Sequence, residues 1–248
     1  MQPISRHERS DRVGDDNAPP GGVSTIVHEL PGGGRAVFTT RAQGNLSTLR
    51  GVDHEHGLGT RERLCDELGL GWLCASRQVH GTRVERVRMQ SASGGTPLAV
   101  DADGHATALS GIGVAVLVAD CLPVVIGAPG AVAALHAGWR GLAEGVLEEG
   151  VEALRELAGG GEMTALIGPG AGRCCYEVGE EVFAALGFSR GAARANIDLA
   201  AIARARLAGA GVARIERVGG CTICDPAYFS HRREGERAGR QAGIAWLP

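Results

Sequence analysis

Residues 113–138, GVAVLVADCLPVVIGAPGAVAALHAG, restrict the possible folds more than any other segment. Two β-branched apolar runs, 113–118 and 122–126, flank Ala119-Asp120-Cys121. Short runs that are apolar at nearly every position, not every second one, fit strands covered on both faces. A Pro-Gly turn at 129–130 then joins them to AVAALHAG. The pattern predicts buried strands arranged as a hairpin or meander.

The flanking segments supply both helices and strands. Residues 27–28 and 36–41 read as strands, and 41–59 as a polar, glycine-rich loop. An amphipathic helix is expected from Thr60, with Thr60 as its N-cap. LCASRQVHGTRVERVR reads as strand, glycine turn, strand, and DADGHATAL as a turn leading into a short helix or loop. A helix is predicted over 141–158, stopped by Gly159-Gly160-Gly161. ALIGPGAG reads as strand and turn, and YEVGEEVFAALG as a short helix stopped by Gly187. NIDLAAIARARLAGAG reads as a helix capped by Asn196 or Asp198, and ARIERVGGCTICD as a strand and loop. No repeat and no Pro/Ser-rich linker divides the middle, so one α+β domain over 24–248 is expected, after a disordered polar tail at 1–23.

Composition excludes several functions. The chain of 248 residues is 44% hydrophobic, enough for a sizeable core, yet no apolar run reaches the roughly 18 residues of a membrane span. A net charge of −3 argues against a general nucleic-acid surface. All 25 basic residues are arginine, which removes Schiff-base lysine chemistry and a Walker-type phosphate loop. Seven cysteines, two of them adjacent, suit a disulfide framework poorly and fit a reducing, cytoplasmic setting.

Three soft or borderline metal donors stand at or near predicted strand ends: His80 before Gly81, Cys121 between the apolar runs, and His136 before Gly138. No short ligand spacing such as H-x-x-x-H joins them. If the fold brings them together, two imidazoles and a thiolate leave a fourth zinc position for water or substrate. From pattern alone they read equally as turn histidines and a core cysteine, or as a Cys-His nucleophile pair. Asp120 and Asp103 are candidates for orienting a metal-bound histidine or for proton transfer. Trp139 reads as packing under its turn. Cys174 and Cys175 read as packing, and Cys221-x-x-Cys224 as structural cysteine, since a zinc ribbon needs a second pair.

Six ordered motifs sharpen this reading: QVHGTRV, DADGHAT, VADCLPVVI, LHAGWRG, IGPGAGRCCYEVGEEV and CTICDPAYFSHRREGERAGRQAG. Together, over roughly residues 24 to 248, they resemble the YfiH/laccase-domain family, also described as multicopper polyphenol oxidase-like or DUF152-type. The resemblance implies a single-domain layered α/β sandwich with mixed sheets and flanking helices. It also implies a metal, usually zinc, held by His80, Cys121 and His136. The implied activity is phosphorolysis of adenosine, inosine, guanosine or methylthioadenosine, with adenosine deamination. Small purine nucleosides and phosphate are then the partners, with no nucleic acid or membrane. Arg41, in FTTR, matches the family's Thr-Arg position and is a candidate for substrate or phosphate contact. Arg140 is a candidate phosphate ligand, because guanidinium suits bidentate phosphate binding. AQGNLSTLRG after Arg41 is shorter than the family pattern.

Two other activities remain open. One is a cysteine or metal hydrolase acting on an amide, such as editing of peptidoglycan precursors. The other is a copper phenol oxidase. Multi-copper sites use several His-x-His pairs, and only His54-Glu55-His56 has that spacing in this chain.

Overall fold

The apolar block forms three strands, but they are divided between two sheets. A computed structural model describes residues 25–88, 98–189 and 194–248. The tail expected at 1–23 lies outside the described residues. The first strands in chain order are β1 (Val27–Glu29), β2 (Arg35–Phe38), β3 (Trp72–Cys74), β4 (Ser76–Arg77), β5 (Val84–Val87), β6 (Leu98–Asp101), β7 (Gly104–Thr107) and β8 (Ile112–Val118). Then come β9 (Leu122–Ala128), β10 (Ala131–Ala137), β11 (Thr164–Ile167), β12 (Glu177–Gly179), β13 (Arg194–Asn196), β14 (Arg214–Arg217) and β15 (Gln241–Trp246). The α-helices are α1 (Gly57–Leu68), α2 (Trp139–Glu144), α3 (Val146–Ala158), α4 (Glu180–Ala185), α5 (Leu199–Gly209) and α6 (His231–Glu234).

Of the two large sheets, one has the order β1-β2-β15-β8-β3 and the other β14-β11-β9-β10-β7-β5, while β12-β13 and β4-β6 form two-stranded pairs. Both are mixed: β3 pairs parallel with β8, and β5 with β7, beside antiparallel neighbours. Alternation of side chains explains how they stack. Ile112, Val114 and Val116 of β8 meet Val125 of β9 and Val132 and Ala134 of β10 between the sheets. The opposite face of the first sheet, with Val37, Ala115 and Ile244, packs on Leu64 of α1. The opposite face of the second, with Val124, Ile126, Ala133 and Leu135, packs on Leu147, Val151 and Leu154 of α3. This gives four layers, helix–sheet–sheet–helix, and makes β9 and β10 buried on both faces, as their sequence requires. Each such leucine contributes about 1.5–3 kcal/mol by leaving water. The result is the expected single-domain layered α/β sandwich.

Several local expectations are corrected. β9 and β10 do form the hairpin, with Ala131 opposite Ala128, but β8 belongs to the other sheet. Asp120, at φ 87, turns the chain across the sandwich between them. DADGHAT is strand, turn, strand and not helix, because Gly104–Thr107 pairs with both β5 and β10. Thr60 is not a cap: α1 starts at Gly57, and Thr60 is buried inside it. Only glycine fits at position 57, since a Cβ there would lie 2.3 Å from the Ser47 carbonyl oxygen. The helix expected over 141–158 begins at Trp139 and breaks at Gly145, whose φ of 105 is left-handed. Asp198, of the two suggested caps, accepts the Ala201 N–H and starts α5. Among the described residues no helix is long and apolar enough to cross a membrane.

Candidate metal centre

His80, Cys121 and His136 lie far apart in sequence and on three separate elements, yet their donor atoms converge within 4.8 Å of one another. His136 is the penultimate residue of β10, Cys121 directly precedes β9, and His80 sits in the turn between β4 and β5. Since Ala137 of β10 pairs with Leu122 of β9, the hairpin places His136 beside Cys121. The His80 Nε2 is 3.9 Å from the Cys121 Sγ, and the two imidazoles meet edge to face at 4.8 Å between centroids.

His80 is brought in by a strained turn. It has φ 64, and Asp120, beside Cys121, has φ 87; the only other non-glycine residue with positive φ among the described residues is Asp53. Such conformations persist only when their surroundings hold them. Asp103 does so for His80. Its carboxylate accepts from the backbone N–H groups of Val79 (3.1 Å), His80 (2.9 Å) and Gly81 (2.8 Å). The same carboxylate is 2.7 Å from His136 Nδ1, and the Asp103 carbonyl accepts the His136 N–H. Asp103 is fully buried, so it fixes both histidines from behind. With Nδ1 bound to Asp103, His136 has Nε2 left for Cys121 or a metal.

The electrostatics are those of a tight ion set. Burial works against the Asp103 charge, but His136 and the turn amides outweigh it and hold the carboxyl below its ordinary range. Burial alone would raise the Cys121 thiol; the facing imidazoles of His136 and His80 bring it down to about 6. Burial alone would lower His136; the Cys121 thiolate and Asp103 lift it to about 9. The donor set therefore already holds a thiolate, facing an imidazolium whose Nε2 proton a metal ion would displace. A Cβ on Gly138 would lie 3.0 Å from both Cys121 Sγ and His80 Cδ2, so glycine keeps the space over the donors open. Borderline donors, a carboxylate-oriented histidine and a cleared approach fit a metal ion of the zinc type.

The other suggested residues have different surroundings. Among the described residues Asp120 does not meet a histidine. Its carboxylate accepts from Thr222 Oγ1 and from the Arg232 backbone N–H, both at 2.7 Å. Arg41 pairs with Glu234, donates to the carbonyls of Pro226 and Tyr228, and stacks on Phe229. Arg140 is exposed and stacks on Trp139 at 4.2 Å, and forms no ion pair among the described residues. Trp139 packs against the helical side of the core, as expected. Arg233 of α6 holds the backbone carbonyls of Thr222 and Ile223, and Arg240 those of Ala238 and Gly239. Sequence reasoning misses Tyr176, which lies close enough to feel the charges of Cys121 and Asp120, with Arg232 stacked on its ring at 4.7 Å. The Cys-Cys-Tyr motif carries it, but its two cysteines are the more conspicuous residues. His54 and His56 are in an exposed turn, away from these donors.

Residues 32–248 match the family model described as "Multi-copper polyphenol oxidoreductase laccase". The chain belongs to the YfiH/laccase-domain family. It is 40% identical over 253 residues to a protein of Xylella fastidiosa named purine nucleoside phosphorylase, covering 94% of this chain and 95% of the relative. A Mycobacterium tuberculosis protein of the same name is 36% identical over 237 residues, covering 86% and 92%. Among solved structures, a Neisseria meningitidis protein of the DUF152 family superposes with a TM-score of 0.75 at 31% identity, covering 90% of this chain and 98% of that one. The YfiH protein of Bacillus licheniformis gives 0.75 at 27% identity, covering 87% and 93%.

Proposed function

We propose that this member of the family is a zinc-dependent purine nucleoside phosphorylase that also deaminates adenosine. The observation that carries the reading is the convergence of His80, Cys121 and His136 on one point, backed by Asp103. Relatives over nearly the whole chain named purine nucleoside phosphorylase supply the substrate class. Zinc held by the three donors would supply Lewis acidity and an activated water at its open position.

The chain's own residues have separable duties. Asp103 fixes the His136 tautomer and the His80 turn, so the donors need no reorganisation when substrate arrives. Phosphorolysis needs an oxyanion held against the sugar carbon. Arg140, exposed two residues beyond Gly138 and free of any carboxylate among the described residues, serves as a phosphate contact. Arg41, anchored by Glu234 and two carbonyls, is oriented for substrate or phosphate at the rim. Asp120 keeps Cys121 in place through Thr222 and the Arg232 backbone. Its two hydrogen bonds favour this positioning duty over proton transfer.

Zinc-loaded protein incubated with inosine or adenosine and phosphate should release free base and ribose-1-phosphate, and adenosine alone should yield inosine. Absence of product above a Cys121→Ala control would overturn the proposal. Arg140→Ala should raise the KM for phosphate more than that for nucleoside.

A second reading rests on one specific observation. Cys121, His136 and Asp103 form a thiol–imidazole–carboxylate series of the kind that activates a nucleophile. A cysteine hydrolase of amides, such as peptidoglycan precursors, would keep its turnover under strong chelation and lose it on alkylation of Cys121. Turnover that follows bound metal excludes it.

A further inference from the structure

Cys174 and Cys175 are adjacent in one loop, and Cys221 and Cys224 form a C-x-x-C in another. The sequence offers no second C-x-x-C, so neither pair reads as a metal site alone. The fold makes them one. All four sulfurs lie within 4.8 Å of one another, with Cys174 and Cys224 at 3.4 Å and Cys175 and Cys224 at 2.9 Å. In a tetrahedral zinc–tetrathiolate centre with Zn–S of about 2.3 Å, the sulfurs stand about 3.8 Å apart. The two closest pairs are shorter than that, and every pair lies within 4.8 Å, so small side-chain shifts reach the tetrahedral spacing.

Simple packing does not explain the cluster. Buried cysteines behave as small hydrophobes, but Cys174 and Cys224 are exposed and Cys175 and Cys221 half-buried. At Cys221 the surroundings are instead those of a thiolate. The Gly172 N–H donates to Cys221 Sγ at 3.2 Å, and the amides of Ile223 and Cys224 also face that sulfur. Such donors favour the charged form. A Cβ on Gly172 would lie 3.3 Å from the sulfurs of both Cys174 and Cys221, so glycine leaves room for them. The C-x-x-C loop is also set by groups outside the cluster. Arg233 Nη1 donates to the carbonyls of Thr222 at 2.7 Å and Ile223 at 3.0 Å.

We propose that Cys174, Cys175, Cys221 and Cys224 bind a single structural zinc ion that pins the 170–175 loop to the 221–225 loop. The pairing has a purpose at the neighbouring centre. Gly170 and Cys221 form an isolated β-bridge, and the Thr222 N–H donates to the Gly170 carbonyl at 3.1 Å. Thr222 Oγ1 holds the Asp120 carboxylate, and the Ala171 N–H holds the Asp120 carbonyl, both at 2.7 Å. The ion thus closes the tip of the same two loops whose base grips Asp120, next to Cys121. A full set of four protein thiolates leaves no open position, so this ion is a staple and not a catalyst.

Metal content per chain tests the proposal and separates it from the reading of the His80–Cys121–His136 centre. Protein purified from zinc-supplemented cells is analysed as wild type, as Cys174→Ser/Cys224→Ser and as His80→Ala/His136→Ala. Two zinc ions are expected in the wild type and one in each variant. If only the histidine-containing centre fails, the counts become one, none and one, and the tetrathiolate site stands. In the His80→Ala/His136→Ala protein, cobalt(II) should give intense thiolate-to-metal charge-transfer bands. Should a variant misfold, mercurial titration of the wild type serves, releasing one zinc in step with four thiols. A zinc count unchanged by Cys174→Ser/Cys224→Ser, iron in place of zinc, or disulfide-linked peptides joining these cysteines overturns the proposal.

Discussion

Asp103 shows how much one side chain can decide. Four donors converge on its two oxygens, three from the 79–81 turn and one from His136. Asp103→Asn would turn an NH2 group toward some of these N–H donors, leaving buried groups unsatisfied at about 1–3 kcal/mol each. The expected result is a 10–100-fold loss of metal affinity at the His80–Cys121–His136 centre, measured by competition with a chromophoric chelator. Unchanged affinity would mean that Asp103 does not hold the two histidines in place for metal. His105, two residues beyond Asp103 in β7, titrates differently. Burial drives its pKa down to about 4, and its Nε2 meets Ser76 Oγ at 2.8 Å. The folded form thus stays neutral while the unfolded chain takes up a proton near pH 6.5. Stability attributable to His105 is complete above pH 6.5 and falls as pH drops towards 4, by on the order of 3 kcal/mol. His105→Gln should flatten the denaturant midpoint over that range relative to wild type; an identical slope in both proteins contradicts the assignment.

At the scale of elements, glycine governs how closely layers approach. Gly150 of α3 faces Leu135 of β10, and an added Cβ would lie 2.3 Å from Leu135 Cδ1 and 2.7 Å from Cδ2. Alanine gains about 1 kcal/mol of helix propensity over glycine. Overpacking a fully buried leucine costs typically about 1–3 kcal/mol. Gly150→Ala should therefore destabilise on balance, seen as a lower urea midpoint at unchanged slope. Gly138→Ala tests a different approach. Its φ of −71 suits alanine, but the new methyl would stand 3.0 Å from Cys121 Sγ and His80 Cδ2. Loss of bound metal is expected with stability near that of the metal-free wild type, by metal analysis and by calorimetry on stripped samples of both proteins. Element types are readable where periodicity is strong: the β9–β10 hairpin, α3 and α5 follow from apolar runs and caps. The separation of β8 from β9 is not, because two buried strands look alike whether they share a sheet or face each other. The thiolate cluster escapes for a similar reason. Its pairs, 174–175 and 221–224, are ordinary locally and meet only in the fold, where the Gly170–Cys221 bridge joins their loops.

For the whole molecule, the candidate metal centre lies where the two sheets are joined by the chain itself. β8 of one sheet passes through Asp120 and Cys121 into β9 of the other, and His136 and the His80 turn close on that corner. Motif order in the sequence points to these three residues, but their convergence depends on the sandwich being assembled. The unfolded chain cannot present them together, so metal binding at this corner adds directly to folding stability. At a free zinc concentration of about 100 times Kd the addition is about 2.7 kcal/mol. For a domain of this size that corresponds to roughly 5–10 °C in melting temperature. Chelation also acts on the cysteine cluster, so the informative quantity is a difference. Stripping metal should lower the Tm of the wild type by roughly 5–10 °C more than that of His80→Ala/His136→Ala, and zinc should restore it. Equal shifts in the two proteins would mean that the corner between the sheets gains nothing from a metal.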